Sequence, residues 1–425
     1  MEHRILGRTG VSVSKLCLGT MMFGAWGNPD HDESIRIIHA ALDSGINFID
    51  TADVYAQGES EEIVGKALTG GRRDDVILAT KFHMAMGEDP NQQGSSRRWI
   101  IQEVENSLRR LQTDWIDLYQ LHRPRTDTDI EETLGALSDL LHQGKVRYTG
   151  SSTFPASQIV EAQWAARDRQ LQRFVTEQPP YSMLVRQAEW DVLPTCQRHG
   201  MGVLSYSPLA GGWLSGRWRK DAGQQGSSRA NRLPDRFDLS QPGNQRKLDA
   251  TEQLAQLAEE TGTTLIELAI AFVLRHPAIT SAIIGPRTMG QLESQLPACD
   301  VKLDEAVLNR VDEIVPPGTT VNPVDNSFQN PALEPAVRRR WPVEHKVKPL
   351  RGTTAILGRD RPSHRPGRSH ERVVISEAVE NQDTRMAPCF WYSTGISAPT
   401  AKTRSARVKR VDASERSTAD LIARC

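Results

Sequence analysis

Paired cysteines are missing from this sequence. Its five, Cys17, Cys196, Cys299, Cys389 and Cys425, are widely scattered, and none forms a C-x-x-C pair. That spacing excludes a zinc ribbon and a disulfide framework, and it points to a reduced, cytoplasmic setting. An excess of charge is missing too. Lys and Arg number 52 against 53 Asp and Glu, so the overall balance gives no reason to expect a nucleic-acid partner. Long apolar runs are absent. The most apolar stretch, Leu265 to Leu274, is short and carries Glu267, so no membrane span is expected. No apolar stretch stands behind Met1-Glu2-His3-Arg4, which argues against a signal peptide. No solenoid-type repeat is visible. A chain of 425 residues can still bury a large core, as one barrel with an appendage or as two domains.

What is present is alternation. Two short runs around Gly7 and Gly10 predict an N-terminal hairpin. Then come eight compact apolar strands near residues 15–20, 47–52, 76–81, 116–122, 146–152, 174–178, 203–206 and 282–285. Between them lie segments with one apolar face at helical spacing, such as Ile35, Ile38, Ala41 and Leu42, closed by Gly45. Ser60 is placed to cap the helix that runs to Leu68. Strict βα alternation admits a doubly wound sheet or a closed barrel. A dinucleotide-binding open sheet would carry G-x-G-x-x-G after its first strand, and Gly19-Thr20-Met21-Met22-Phe23-Gly24 lacks that spacing. Eight units favour an α/β fold of the (β/α)8 TIM-barrel type.

Two regions stand outside the alternation. Residues 209–246 are polar, weakly periodic and leave from the C-terminal end of a strand, as a lid over a barrel's active site would. From about Pro342 onward, 16 Lys and Arg face 9 Asp and Glu with no apolar periodicity, so residues 342–425 are expected to be a disordered basic tail. The barrel is assigned to 1–325 and a linker to 326–341. The tail could touch nucleic acid or acidic lipid, although a solvated extension is the plainer reading.

The strand ends collect Asp50, Lys81 and His122, and Tyr55 follows five residues after Asp50. A lysine ending an apolar strand needs a partner. The surrounding pieces are Leu6-Gly7-Arg8-Thr9-Gly10-Val11, Phe48-Ile49-Asp50-Thr51-Ala52-x-x-Tyr55, Ser60-Glu61-Glu62-Ile63-Val64-Gly65, Ala79-Thr80-Lys81, Asp117-Leu118-Tyr119-Gln120-Leu121-His122 and Tyr206-Ser207-Pro208-Leu209. In that order they resemble the aldo-keto reductases, and within them the bacterial branch related to potassium-channel β subunits. The resemblance spans roughly residues 3–325. It implies an NADPH-dependent reductase acting on a small-molecule aldehyde or ketone. Tyr55 would give the proton, Lys81 would lower its pKa, Asp50 would hold Lys81, and His122 would orient the carbonyl. Cofactor contacts implied by the match include Gly19, Thr20 and Asp50, with Ser152, Thr153 and Gln178 toward the nicotinamide amide. Tyr206 would stack on its ring, Ser207, Leu209 and Gly211 would meet the pyrophosphate, and Gly285, Arg287, Gln291 and Gln295 the adenosine end. The family often has Ser-Asn where Ser152-Thr153 stands, and asparagine where Gln295 stands. No metal is implied. Trp26, Phe82, His83 and Met84 are candidates for pocket walls or for ordinary packing. A cofactor-binding regulatory subunit with little turnover is the alternative.

Overall fold

The computed structural model describes residues 1–125, 127–221 and 228–326. Strands β1 (His3–Ile5) and β2 (Ser12–Ser14) form an antiparallel hairpin with His3 opposite Ser14. Eight further strands close into a parallel barrel among the described residues: β3 (Leu16–Gly19), β4 (Phe48–Asp50), β5 (Ile77–Phe82), β6 (Ile116–Leu121), β7 (Val146–Ser152), β8 (Thr176–Gln178), β9 (Gly202–Tyr206) and β10 (Ile279–Ile284). Each pairs with its neighbour in sequence, and β10 returns to β3. The barrel and hairpin match the fold read from the alternation. The linker beyond Asn326 and the basic tail lie outside the described residues.

The helices are α1 (His31–Asp43), α2 (Glu59–Ala67), α3 (Arg97–Leu111), α4 (Ile130–His142), α5 (Ala156–Asp168), α6 (Val192–His199), α7 (Ser228–Arg232), α8 (Pro242–Glu260), α9 (Leu265–Arg275), α10 (Met289–Gln295) and α11 (Glu305–Ile314). Local chemistry sets their ends. The Asp30 side chain accepts from Glu33 N at 2.9 Å to start α1, and Gly45 turns the chain out at φ 87°. A reciprocal Thr264–Glu267 box opens α9. Ser60, expected to cap α2, instead sits inside it. Its buried hydroxyl donates to the Thr20 carbonyl at 2.9 Å, because tertiary partners within reach outweigh a local cap. Helix α11 was not legible in the sequence, since only Val311 of its apolar residues is fully buried.

Strand alternation divides the core in two. Outward residues such as Ile49, Leu78, Ile116 and Val203 pack under the helices. Inward residues Cys17, Phe48, Ala79, Leu118, Leu204 and Ile283 fill the barrel with Leu6 and Val13 from the hairpin. The hairpin meets the N-terminal ends of β8 and β9 closely. A Cβ on Gly7 would stand 2.8 Å from Gly202 N and 2.9 Å from Val175 O, so only glycine fits there. The inward layer turns polar at the other end, with Asp50, Lys81, Gln120 and Gln178 all buried.

The connection between β9 and α8 is more ordered than its weak periodicity suggests. Trp213 and Trp218 stack at 4.3 Å, and Phe237 lies 5.9 and 5.8 Å from them, all three buried. Lys247 Nζ sits 4.5 Å from the Trp213 ring centroid, donates to the Arg236 carbonyl at 2.8 Å and pairs with Asp325 at 2.8 Å. This is a small aromatic core of its own, with spacing that no helical or strand period describes. Trp213→Ala should therefore remove roughly 3–5 kcal/mol from its local stability. Hydrogen exchange should speed up in residues 210–221 and 228–247 while barrel strands keep their protection; unchanged exchange there would contradict this packing account.

Candidate active site

Asp50 ends β4 and Lys81 lies one residue before the end of β5, both facing inward and both buried. The three protons of the Lys81 ammonium each have an acceptor: Asp50 Oδ1 at 2.5 Å, the Thr51 carbonyl at 2.7 Å and Tyr55 Oη at 3.3 Å. The other Asp50 oxygen accepts from Gln178 Nε2 at 2.9 Å and Gln120 Nε2 at 3.1 Å. Gly150 leaves room for this arrangement, because a Cβ there would stand 2.1 Å from Thr176 Oγ1 and 3.2 Å from Gln120 Cγ. Gln120 was not singled out in the sequence. Its signal was there, a polar residue on the inward face two positions before His122 in an apolar strand.

The loop that carries Tyr55 is tied to β5. Thr51 N donates to Ala79 O at 2.9 Å and Asp53 N to Lys81 O at 3.1 Å. Tyr55 is half-buried, with its ring 5.9 Å from His122 in an edge-on pose and 6.1 Å from Trp26. The structure thus brings all four predicted polar residues together. The expected fall in the Tyr55 pKa does not appear. Burial raises it, and the raising outweighs the nearby Lys81 charge, which Asp50 already offsets. The phenol is firmly protonated at neutral pH. Burial pulls the Lys81 ammonium down, but Asp50 and Tyr55 outweigh that, and its pKa stands above the ordinary lysine value. Burial, Lys81 and Arg123 push the His122 imidazole well down, so it is neutral, with a buried Nδ1 that has no partner among the described residues.

The other predicted residues fall into groups. Ser152 Oγ donates to the Gln178 carbonyl at 2.9 Å, and Thr153 N to the same oxygen at 3.1 Å, so β7 and β8 present these three side by side. Arg123 Nη1 donates to Thr153 Oγ1. Tyr206, Ser207 and Gly211 line one cleft with Arg229, a residue with no signal in the aperiodic connection. Leu209 packs half-buried against the outer core. Gly19 faces Ile283, and Thr20 commits its buried hydroxyl to Ser60 at 2.8 Å. On the β10 side, Gly285 is exposed, and Arg287 N donates to Gln291 Oε1 at 2.9 Å. Among the described residues neither the buried Gln295 Oε1 nor the buried Tyr206 hydroxyl finds a partner. Phe82 is not a pocket wall. It points outward and packs on Tyr119 at 4.7 Å, as alternation from Lys81 requires. Met84 is exposed, and His83 is buried.

Backbone strain gathers at the same end. Among the described residues, eight non-glycine residues have positive φ, and six follow barrel strands: Ala56, Gln57, His83, Thr153, Ser207 and Ala210. Left-handed backbone in such residues persists only where the surroundings over-determine it, and functional sites are where it concentrates.

The comparisons agree with this geometry. The model of the aldo/keto reductase family matches residues 15–316. This chain belongs to the aldo/keto reductase family. It is 41% identical over 327 residues to an uncharacterized oxidoreductase, YrpG, of Bacillus subtilis, covering 74% of this chain and 96% of the relative. It is 39% identical over 298 residues to the aldo-keto reductase YhdN of the same organism, covering 69% and 87%. A probable voltage-gated potassium channel subunit beta of Arabidopsis thaliana is 36% identical over 332 residues, covering 74% and 97%. The chain is thus an oxidoreductase of that family by descent. Among the described residues, no helix is long and apolar enough to cross a membrane, and no cluster of His, Cys, Asp and Glu could hold a metal.

Behind the loop that carries Tyr55 lies a buried acidic group. Glu61 accepts from Thr80 Oγ1 and Arg110 Nε, both at 2.6 Å, and Glu103 accepts from Arg110 Nη2 at 2.5 Å. Asp53 accepts from Val54 N at 2.6 Å but leaves Oδ2 buried and unpaired. Burial first, then Glu61 and Glu103, hold its carboxyl well above the usual range. Its folded pKa exceeds its unfolded value, so stability falls as pH rises from about 4 toward the folded pKa. Asp53→Asn should remove that loss, since an amide oxygen can still accept from Val54 N. The variant should out-melt wild type near neutral pH and lose the advantage as pH approaches about 4. A thermal series across that window checks it, and a variant less stable at every pH would refute the raised Asp53 carboxyl.

Proposed function

We propose that this protein is an NADPH-dependent reductase of aldehydes or ketones, with Tyr55 as the proton donor. The observation that carries the reading is the Lys81 ammonium bridging Asp50 and Tyr55, with neutral His122 edge-on to the same phenol. When bound, NADPH supplies the hydride. The residues present suit it. The unpartnered Tyr206 hydroxyl and Gln295 Oε1, and the left-handed run at Ser207, Ala210, Gly211 and Gly212, offer polar atoms and backbone to a ligand along β9 and α10. Ser152, Thr153 and Gln178 would take the nicotinamide amide. Tyr206 would lie on its ring, Ser207, Leu209 and Gly211 would meet the pyrophosphate, and Gly285, Arg287, Gln291 and Gln295 the adenosine end.

The protein's own steps follow from the pKa directions. Tyr55 is held protonated until a carbonyl oxygen gains charge beside it. The proton then leaves Oη, and the Lys81 hydrogen bond strengthens toward the phenolate that remains. Asp50 keeps Lys81 charged and in place, and the two glutamines keep Asp50 from turning. A neutral imidazole at His122 can donate one N–H to the carbonyl oxygen without competing for the proton. A small-molecule carbonyl is then the partner. A reduced cytoplasmic setting suits the free thiols of Cys17, Cys196 and Cys299.

Relatives named as channel subunits support a second reading, a regulatory subunit that holds cofactor with little turnover. Steady-state turnover separates the two. Tyr55→Phe should keep cofactor binding and lose carbonyl reduction by roughly two orders of magnitude or more, because only the transferable proton is gone. Turnover near wild type in that variant would exclude Tyr55 as the donor. Cofactor choice rests on Arg287, whose guanidinium could give two charge-assisted bonds to a 2′-phosphate and none to NADH. In fluorescence titrations Arg287→Ala should weaken NADPH binding by roughly ten- to a hundredfold and leave NADH nearly unchanged. Equal losses for both would assign Arg287 to the pyrophosphate or the fold.

A further inference from the structure

The charges at the C-terminal mouth of the barrel do not cancel. Lys81 is matched by Asp50 at 2.5 Å, and Arg125 pairs with Asp127. The two histidines add nothing near neutral pH. Burial, Arg125 and Arg123 lower His83 to about 4, and His122 lies well below its ordinary value. Arg123 is different. It follows His122 directly, is half-buried, and donates one guanidinium nitrogen to the Thr153 hydroxyl across the gap between β6 and β7. Among the described residues no carboxylate forms an ion pair with it. Its charge is nonetheless felt at Tyr55, His122, His83 and Glu177, which places it within the site rather than on the outer surface.

A guanidinium fixed by a neutral hydroxyl keeps its charge for something else. It has five donors in a planar fork, and one engaged nitrogen leaves an edge for a two-oxygen anion. Thr153 itself is held at φ 63°, so the hydroxyl that aims Arg123 sits on strained backbone. We infer that Arg123 selects carbonyl substrates bearing a carboxylate, gripping that carboxylate while the carbonyl oxygen lies against Tyr55 and His122. The inference rests on the reductase reading and adds to it the class of substrate.

The test compares 4-carboxybenzaldehyde with benzaldehyde, using NADPH, wild type, Arg123→Gln and Arg123→Lys. Wild type should prefer the acid by roughly ten- to a hundredfold in kcat/KM, mostly through KM. Arg123→Gln should bring the ratio toward one, and Arg123→Lys should keep part of it, since the charge stays and the fork goes. A wild-type ratio near one, or a ratio unchanged in Arg123→Gln, overturns the inference. Glyceraldehyde 3-phosphate against glyceraldehyde is the second arm, and a larger preference there overturns the carboxylate in favour of a phosphoryl group. If wild type reduces neither benzaldehyde, the reductase reading fails separately, and calorimetry with NADP+ present decides the anion question. Tighter binding of the acid by wild type but not by Arg123→Gln supports the grip; equal binding of both aldehydes removes it.

Discussion

A lysine with no exposed surface needs every one of its protons met, and the active end of this barrel is arranged around that need. Burying an ammonium and a carboxylate side by side costs several kcal/mol of solvation, recovered only when geometry and remaining hydrogen bonds are good. Here Lys81 finds three acceptors and Asp50 finds three donors. One of the three acceptors is Tyr55, so the same constraint that makes the pair tolerable fixes the phenol. Four different strands, β4, β5, β6 and β8, contribute to the network, which makes it a clasp on the barrel as well as a site.

The direction of the tyrosine shift has a consequence for how such a site works. A free ammonium beside a phenol would lower its pKa, but here the ammonium is shared with a carboxylate and the phenol is desolvated. The phenol therefore rests protonated, beside a cation that would stabilise its phenolate in the proposed reaction. Neutral His122 and the raised Asp53 carboxyl fit the same pattern, since burial at this end of the barrel disfavours charge wherever no partner of opposite sign is supplied.

The mouth is also where the backbone is least relaxed. Left-handed residues after β4, β5, β7 and β9 re-aim loops that a relaxed chain would carry elsewhere. The rigid parallel barrel below and the hairpin plug at the far end hold them there. The aromatic cluster of Trp213, Trp218 and Phe237 anchors the longest of those loops, and Arg232 of α7 reaches over Trp26 at 4.0 Å to bring that segment above Tyr55.

By itself the sequence determined the eightfold alternation and the hairpin, because helix and strand periods are local. It singled out Asp50, Lys81 and His122 as polar groups closing apolar strands, and Tyr55 on the loop that follows Asp50. Only the tertiary structure decided that Gln120 and Gln178 share one Asp50 oxygen. It also placed Ser60 on Thr20 rather than at a helix cap, and joined Arg123 to Thr153 with no ion-paired carboxylate among the described residues. The physical reason is sequence distance. Gln178 lies 128 residues from Asp50, and Arg123 lies 30 from Thr153, so no local pattern carries those contacts until the barrel closes.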